Sequence, residues 1–170
     1  MKSRILLLIF TGLIVVYMVS SCSKDDEATG TDTNLFDLAK ETNGFVWYKN
    51  SDVFLPRSSG SGHNYSKLRT RFNSIAAGQL DASGKVLPNA IFPEGSVIVK
   101  ELSNGNSVER YAVLYKNSQL ADADSKGWVW GYINASGSVA ISSSEKGSSC
   151  SGCHSQNGSI DYTLMNKFFP

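Results

Sequence analysis

Two runs of apolar and β-branched residues, Ser96–Leu102 and Val108–Lys116, flank the dipeptide Asn104-Gly105. Both residues of that dipeptide tolerate positive φ, so the chain can reverse there and lay the second run back along the first. Such a hairpin commits the middle of the molecule to antiparallel pairing, and other segments fit around it. Leu68, Thr70 and Phe72 alternate with Arg69 and Arg71, the period of a strand with one polar face. Gly44–Tyr48 is aromatic and β-branched, Gly127–Ile133 places Trp128, Trp130 and Tyr132 on one face, and Val139–Ser142 reads as a short edge strand. Helical signals are brief: Asn34–Lys40, capped by Thr33 or Asn34, and one Ser-Ile-Ala-Ala turn opened by Asn73. Residues 51–65 carry Pro56, a Ser-Ser-Gly-Ser-Gly tract and His63, and read as a loop. There is no internal repeat and no strand–helix–strand alternation. The expected class is therefore α+β, a predominantly antiparallel sheet with a few short helices.

The N-terminus has a different character. Lys2 and Arg4 precede an apolar run, Ile5–Val19, and a small-residue step, Ser20-Ser21, leads to Cys22. This is the layout of a secretory signal. The run is shorter than the roughly twenty residues that span a bilayer comfortably, and a transmembrane anchor is the alternative. Val19-Ser20-Ser21-Cys22 resembles the lipobox of bacterial lipoproteins, whose cysteine is acylated and becomes the new N-terminus; a plain signal peptide with an incidental cysteine is the other reading. Ser23–Glu27 resembles the basic-then-acidic export signal of some surface-displayed lipoproteins. The expected organisation is a lipoprotein signal peptide over 1–21, lipidation at Cys22, a flexible tether over 22–33 and one domain over 34–170. The protein would then sit in the bacterial cell envelope, held to the membrane by lipid and facing the periplasm or the cell surface. With 16 Lys+Arg against 15 Asp+Glu, the chain lacks the concentrated basic surface that a nucleic-acid partner requires.

Chemistry concentrates near the C-terminus, in Cys150-Ser151-Gly152-Cys153-His154. Two thiols three positions apart can add to the two vinyl groups of a porphyrin, and the histidine that follows is placed to bind the iron. The small Ser151 and Gly152 let the backbone lie close to the ring edge. The expected cofactor is covalently attached haem c, with Cys150 and Cys153 as attachment points and His154 as the metal ligand. The second nitrogen of that imidazole should find a hydrogen-bond partner. A redox disulfide would need a strand–helix context that is missing, and a zinc site would have only His63 and carboxylates left to draw on. The three cysteines divide as one for lipid and two for haem.

Candidates for a second axial ligand are few. Met165 lies only eleven positions after His154, a short path round a porphyrin, and His63 in its Gly/Ser loop reads as a surface residue. An open sixth position is expected, as in iron that binds small molecules; a six-coordinate electron carrier using Met165 or His63 is the alternative. Lys100 shares a strand face with Ile98 and Leu102, while Glu101 lies with Val97 and Val99. A lysine so placed either snorkels at an edge or is buried for a purpose, where a neutral amine becomes a nucleophile.

Taken together, Phe92-Pro-Glu-Gly-Ser-Val-Ile-Val-Lys-Glu101, Gly127-Trp-Val-Trp, the Cys150–His154 motif, Asp161-Tyr162 and Lys167-Phe-Phe-Pro170 resemble the cytochrome P-460 and cytochrome c′-beta family, over roughly residues 44–170. The resemblance implies an antiparallel sheet with a few helices, a homodimer, and a haem whose only protein ligand is histidine. In the P-460 branch a lysine is bonded to the porphyrin and hydroxylamine is oxidised; Lys100 matches that lysine, and Arg69 matches a distal-side arginine, which implies catalytic roles for both. That branch carries an acidic residue on the strand corresponding to Tyr111–Leu114. Here the strand reads Tyr-Ala-Val-Leu, with Glu109 two positions before it, although removing protons from hydroxylamine needs a base near the bound nitrogen. The c′-beta branch lines its pocket with apolar aromatics and binds nitric oxide, for which Phe72, Phe92 and Tyr111 are candidates. The implied function is an exported monohaem protein that binds or oxidises hydroxylamine or nitric oxide, with a partner cytochrome accepting electrons.

Overall fold

A computed structural model describes residues 26–170; the expected signal peptide and the acylation site Cys22 lie outside them. The strands are β1 (Asp26–Glu27), β2 (Val46–Trp47), β3 (Leu55–Pro56), β4 (Lys67–Phe72), β5 (Val97–Ser103), β6 (Arg110–Lys116), β7 (Trp128–Asn134) and β8 (Ser138–Ile141). They form one sheet in the order β1-β8-β7-β6-β5-β4-β2, with β3 also paired to β4, and every ladder is antiparallel. The helices are α1 (Thr31–Lys40), α2 (Ser74–Ala77), α3 (Ser148–His154) and α4 (Met165–Phe168). The class is α+β, as expected.

The central hairpin forms where Asn104-Gly105 requires it, with Lys100 opposite Ala112. Its connection is longer than a two-residue turn, and the Glu109 carboxylate closes it by accepting from the Asn104 backbone N–H (2.7 Å) and side-chain amide (3.1 Å). Asn73 caps α2 as expected, its side chain accepting from Ala76 N. Two differences are local. The aromatic run near Gly44 makes only a two-residue strand before a 3-10 turn, Tyr48–Asn50, and β8 is covered by β1 instead of forming the edge.

Alternation along the strands gives the sheet two dissimilar faces. On one, Val97, Val99, Val113, Val129 and Ile133 pack under Leu35 and Ala39 of α1. Gly131 permits this approach, since a Cβ there would lie 2.8 Å from Leu35 Cδ1. The helix begins at Thr31, earlier than Thr33 or Asn34 and inside the stretch expected to be tether. The cause is Asp32, buried in the first turn, whose carboxylate accepts from Ser143 N (2.8 Å) and Ser142 Oγ (2.7 Å) and fastens α1 to the segment that leads into α3. The opposite face carries Leu68, Phe72, Ile98, Leu102, Leu114, Trp128 and Trp130, covered by the chain from α3 to the C-terminus.

Candidate functional site

The site is built where α3 meets that second face. Antiparallel register sets Thr70, Lys100, Ala112 and Tyr132 side by side across four strands. Above this row lie two cavities of ≈ 170 and ≈ 60 Å³, which share His63, Lys100, Tyr132, Cys150, His154 and Met165 among their walls. Leu68, Ile98, Leu114 and Leu164 make the rest of the lining largely apolar.

Helix α3 starts from Gly147, held at φ 70, and its Cβ position is filled by the Trp130 indole. That indole is fixed in turn by donating Nε1–H to Asp124 Oδ2 (2.9 Å). We expect Gly147→Ala to cost about 2–5 kcal/mol, from a left-handed alanine plus overlap with a ring that cannot retreat. A urea midpoint equal to that of the parent chain would show that α3 is not seated in this way. One helical turn separates Cys150 from Cys153, so both sulfurs lie on the same side of α3. Both are free thiols, Cys150 half-buried and Cys153 exposed, and both reach the larger cavity.

His154 ends the helix with its ring edge-on to Trp130, ring centres 5.3 Å apart. Its Nδ1 lies 2.7 Å from the Tyr162 carbonyl oxygen. A carbonyl can only accept, so Nδ1 carries the proton and Nε2 keeps its lone pair. The carbonyl is aimed by a kink in which Asp161 (φ 42) and Tyr162 (φ 68) are both left-handed. Asp161 holds that kink by accepting from Trp128 Nε1 and Phe92 N, each at 3.0 Å. Burial first, and then the Lys100 cation, lower the His154 pKa to about 4, so the ring is neutral near pH 7. Burial brings Lys100 down to about 8 and holds His63 far below the ordinary imidazole range. Tyr132 is pushed up to about 12, also by burial first.

Cys150, Cys153, His154 and Lys100 therefore converge on one site. Arg69 is not part of it. The alternation that turns Thr70 toward the cavity sends Arg69 to the other face, where it pairs with Glu101, donates to Asp52 O (2.9 Å) and stacks over Trp47 and Phe54. Tyr111 lies on that face as well, and Phe72 and Phe92 stack in the core beside Trp128 instead of lining the cavities. Glu109 is spent on its turn. None of the described residues lining the cavities is acidic.

His63, expected at the surface, lines both cavities instead. Nothing in a Gly/Ser tract tells which way its histidine points. Tyr132 was recognisable only as one of three aromatics on a face; its place beside Lys100 depends on pairing register.

These groups fit an iron porphyrin: two unpaired thiols on one helical turn, a neutral imidazole with a free Nε2, and apolar walls. A family model described as Cytochrome P460 matches residues 48–165, a span that runs from the 3-10 turn through β3 to α3 and the first residue of α4. No curated protein and no solved structure matches the chain.

Proposed function

Since the chain belongs to the cytochrome P460 family, a family of haem proteins, we propose that Cys150 and Cys153 hold the haem through thioether bonds, that His154 Nε2 binds its iron, and that the protein captures small nitrogen compounds such as nitric oxide or hydroxylamine. When bound there, haem supplies a metal site for such ligands and a store for single electrons. The chain's own part is to orient and to exclude. Tyr162 O fixes the tautomer and direction of His154, while Leu68, Ile98, Leu114 and Met165 keep water from the ligand's side. Lys100 extends from β5 into the same space, where its amine can hydrogen-bond a ligand.

The observation that carries binding over turnover is the absence of a carboxylate among the described lining residues, because dehydrogenating hydroxylamine requires a group to take its protons. Export and lipidation at Cys22 would place this site outside the cytoplasmic membrane, on a homodimer, with a small cytochrome as electron partner. The test is to add nitric oxide or hydroxylamine to the purified holoprotein. A shifted absorption spectrum without consumption of hydroxylamine in the presence of an electron acceptor is the expected result. Sustained consumption would replace the binding reading with an oxidase.

A further inference from the structure

The cavity contains a second imidazole. Arg57 pins the loop that carries His63, its guanidinium donating to Ser61 O (2.9 Å) and Asn64 Oδ1 (3.3 Å), so the Gly/Ser tract does not leave the ring in solvent. Gly60 lets this loop settle against the ring of Phe168, whose Cε1 would overlap a Cβ placed there. His63 Nδ1 lies 3.4 Å from Tyr132 Oη, and His154 Nδ1 is engaged by Tyr162 O. Each ring thus has its Nδ1 turned to an oxygen and its Nε2 left over.

The two ring centres are 6.3 Å apart, with their planes at 72°. Imidazoles bound to one metal ion along a common axis have centres about 6 Å apart: roughly 2 Å for each metal–nitrogen bond and about 1 Å from each ring centre to its nitrogen. Met165 is a poorer candidate, since its sulfur already accepts from Thr70 Oγ1 (3.3 Å). Resting on the haem reading above, we propose that His63 fills the axial position opposite His154 in the resting protein and yields it to incoming ligands. Yielding is built in. His63 stands on a loop between short elements, and among the described residues its ring's hydrogen bond is the long one to Tyr132, whereas His154 is held by a helix and a 2.7 Å hydrogen bond. A self-ligand of this kind lowers apparent affinity by the fraction of molecules in which it is detached. It would shift the protein's response to higher ligand concentrations.

The experiment uses the full chain with haem attached, as parent and as His63→Ala and His63→Phe. The ferric parent should give a low-spin absorption and electron-paramagnetic-resonance signature, and both variants a high-spin one. Added imidazole should restore the low-spin signature to the alanine variant. Azide should bind the variants about ten- to a hundredfold more tightly than the parent. A high-spin parent overturns the proposal, and so does a low-spin signature that survives in both variants. Either result leaves the haem assignment standing; a colourless chain with both thiols open to alkylation removes the assignment and the proposal together.

Discussion

Glu101→Ala is expected to lower folding stability by about 3–5 kcal/mol, because it leaves a buried arginine without its counter-charge. Glu101 is 3% exposed and its carboxylate accepts from Arg71, itself fully buried, and from the more accessible Arg69. Arg71 has no slack elsewhere. Its second terminal nitrogen donates to Ala39 O, and its Nε has no hydrogen-bond partner among the described residues. Burial already lowers the Arg71 pKa to about 10, a sign that its surroundings disfavour the cation. The Arg69 arm adds less, since solvent screens a partly exposed pair. The substitution should move the urea midpoint, followed by tryptophan fluorescence, without a large change in slope. A midpoint within experimental scatter of the parent would mean that the ion cluster is not what holds this face. The consequence for the site is direct: Glu101 turned to one face of β5 is what sets Lys100 toward the cavity on the other.

The second large effect concerns attachment. Chains carrying Cys150→Ala together with Cys153→Ala should retain no haem after denaturing electrophoresis, a complete loss of the in-gel haem stain. His154→Ala should behave differently. Its thiols remain, so haem stays attached while the iron loses the ligand that Tyr162 O orients. Haem that persists in the double cysteine variant would show that some other side chain, with Lys100 the nearest candidate, forms the covalent bond.

Much of the sheet was legible because period-two patterning and turn chemistry act locally. The β5–β6 hairpin, the Asn73 cap and the shared face of Trp128, Trp130 and Tyr132 all follow from neighbours within a few residues. The same alternation placed Lys100 and Glu101 on opposite faces, and it also contained the correction for Arg69: on β4, Thr70 and not Arg69 must share Lys100's side once the two are paired. What stayed hidden depends on distant partners. Thr31 begins a helix because Asp32 meets Ser142 and Ser143, more than a hundred positions away. His63 enters the cavity because Arg57 ties its loop back on itself and Tyr132 stands opposite. None of these pairings leaves a trace in composition or period.

Mass spectrometry of one peptide bears most directly on the whole account. Cleavage after Lys146 and Lys167 releases residues 147–167, which hold both thiols and His154. From chain matured in a host able to attach c-type haem and then treated with an alkylating reagent, this peptide should carry the mass of one haem and no alkyl group. Recovery of the same peptide with two alkyl groups and no haem would contradict it.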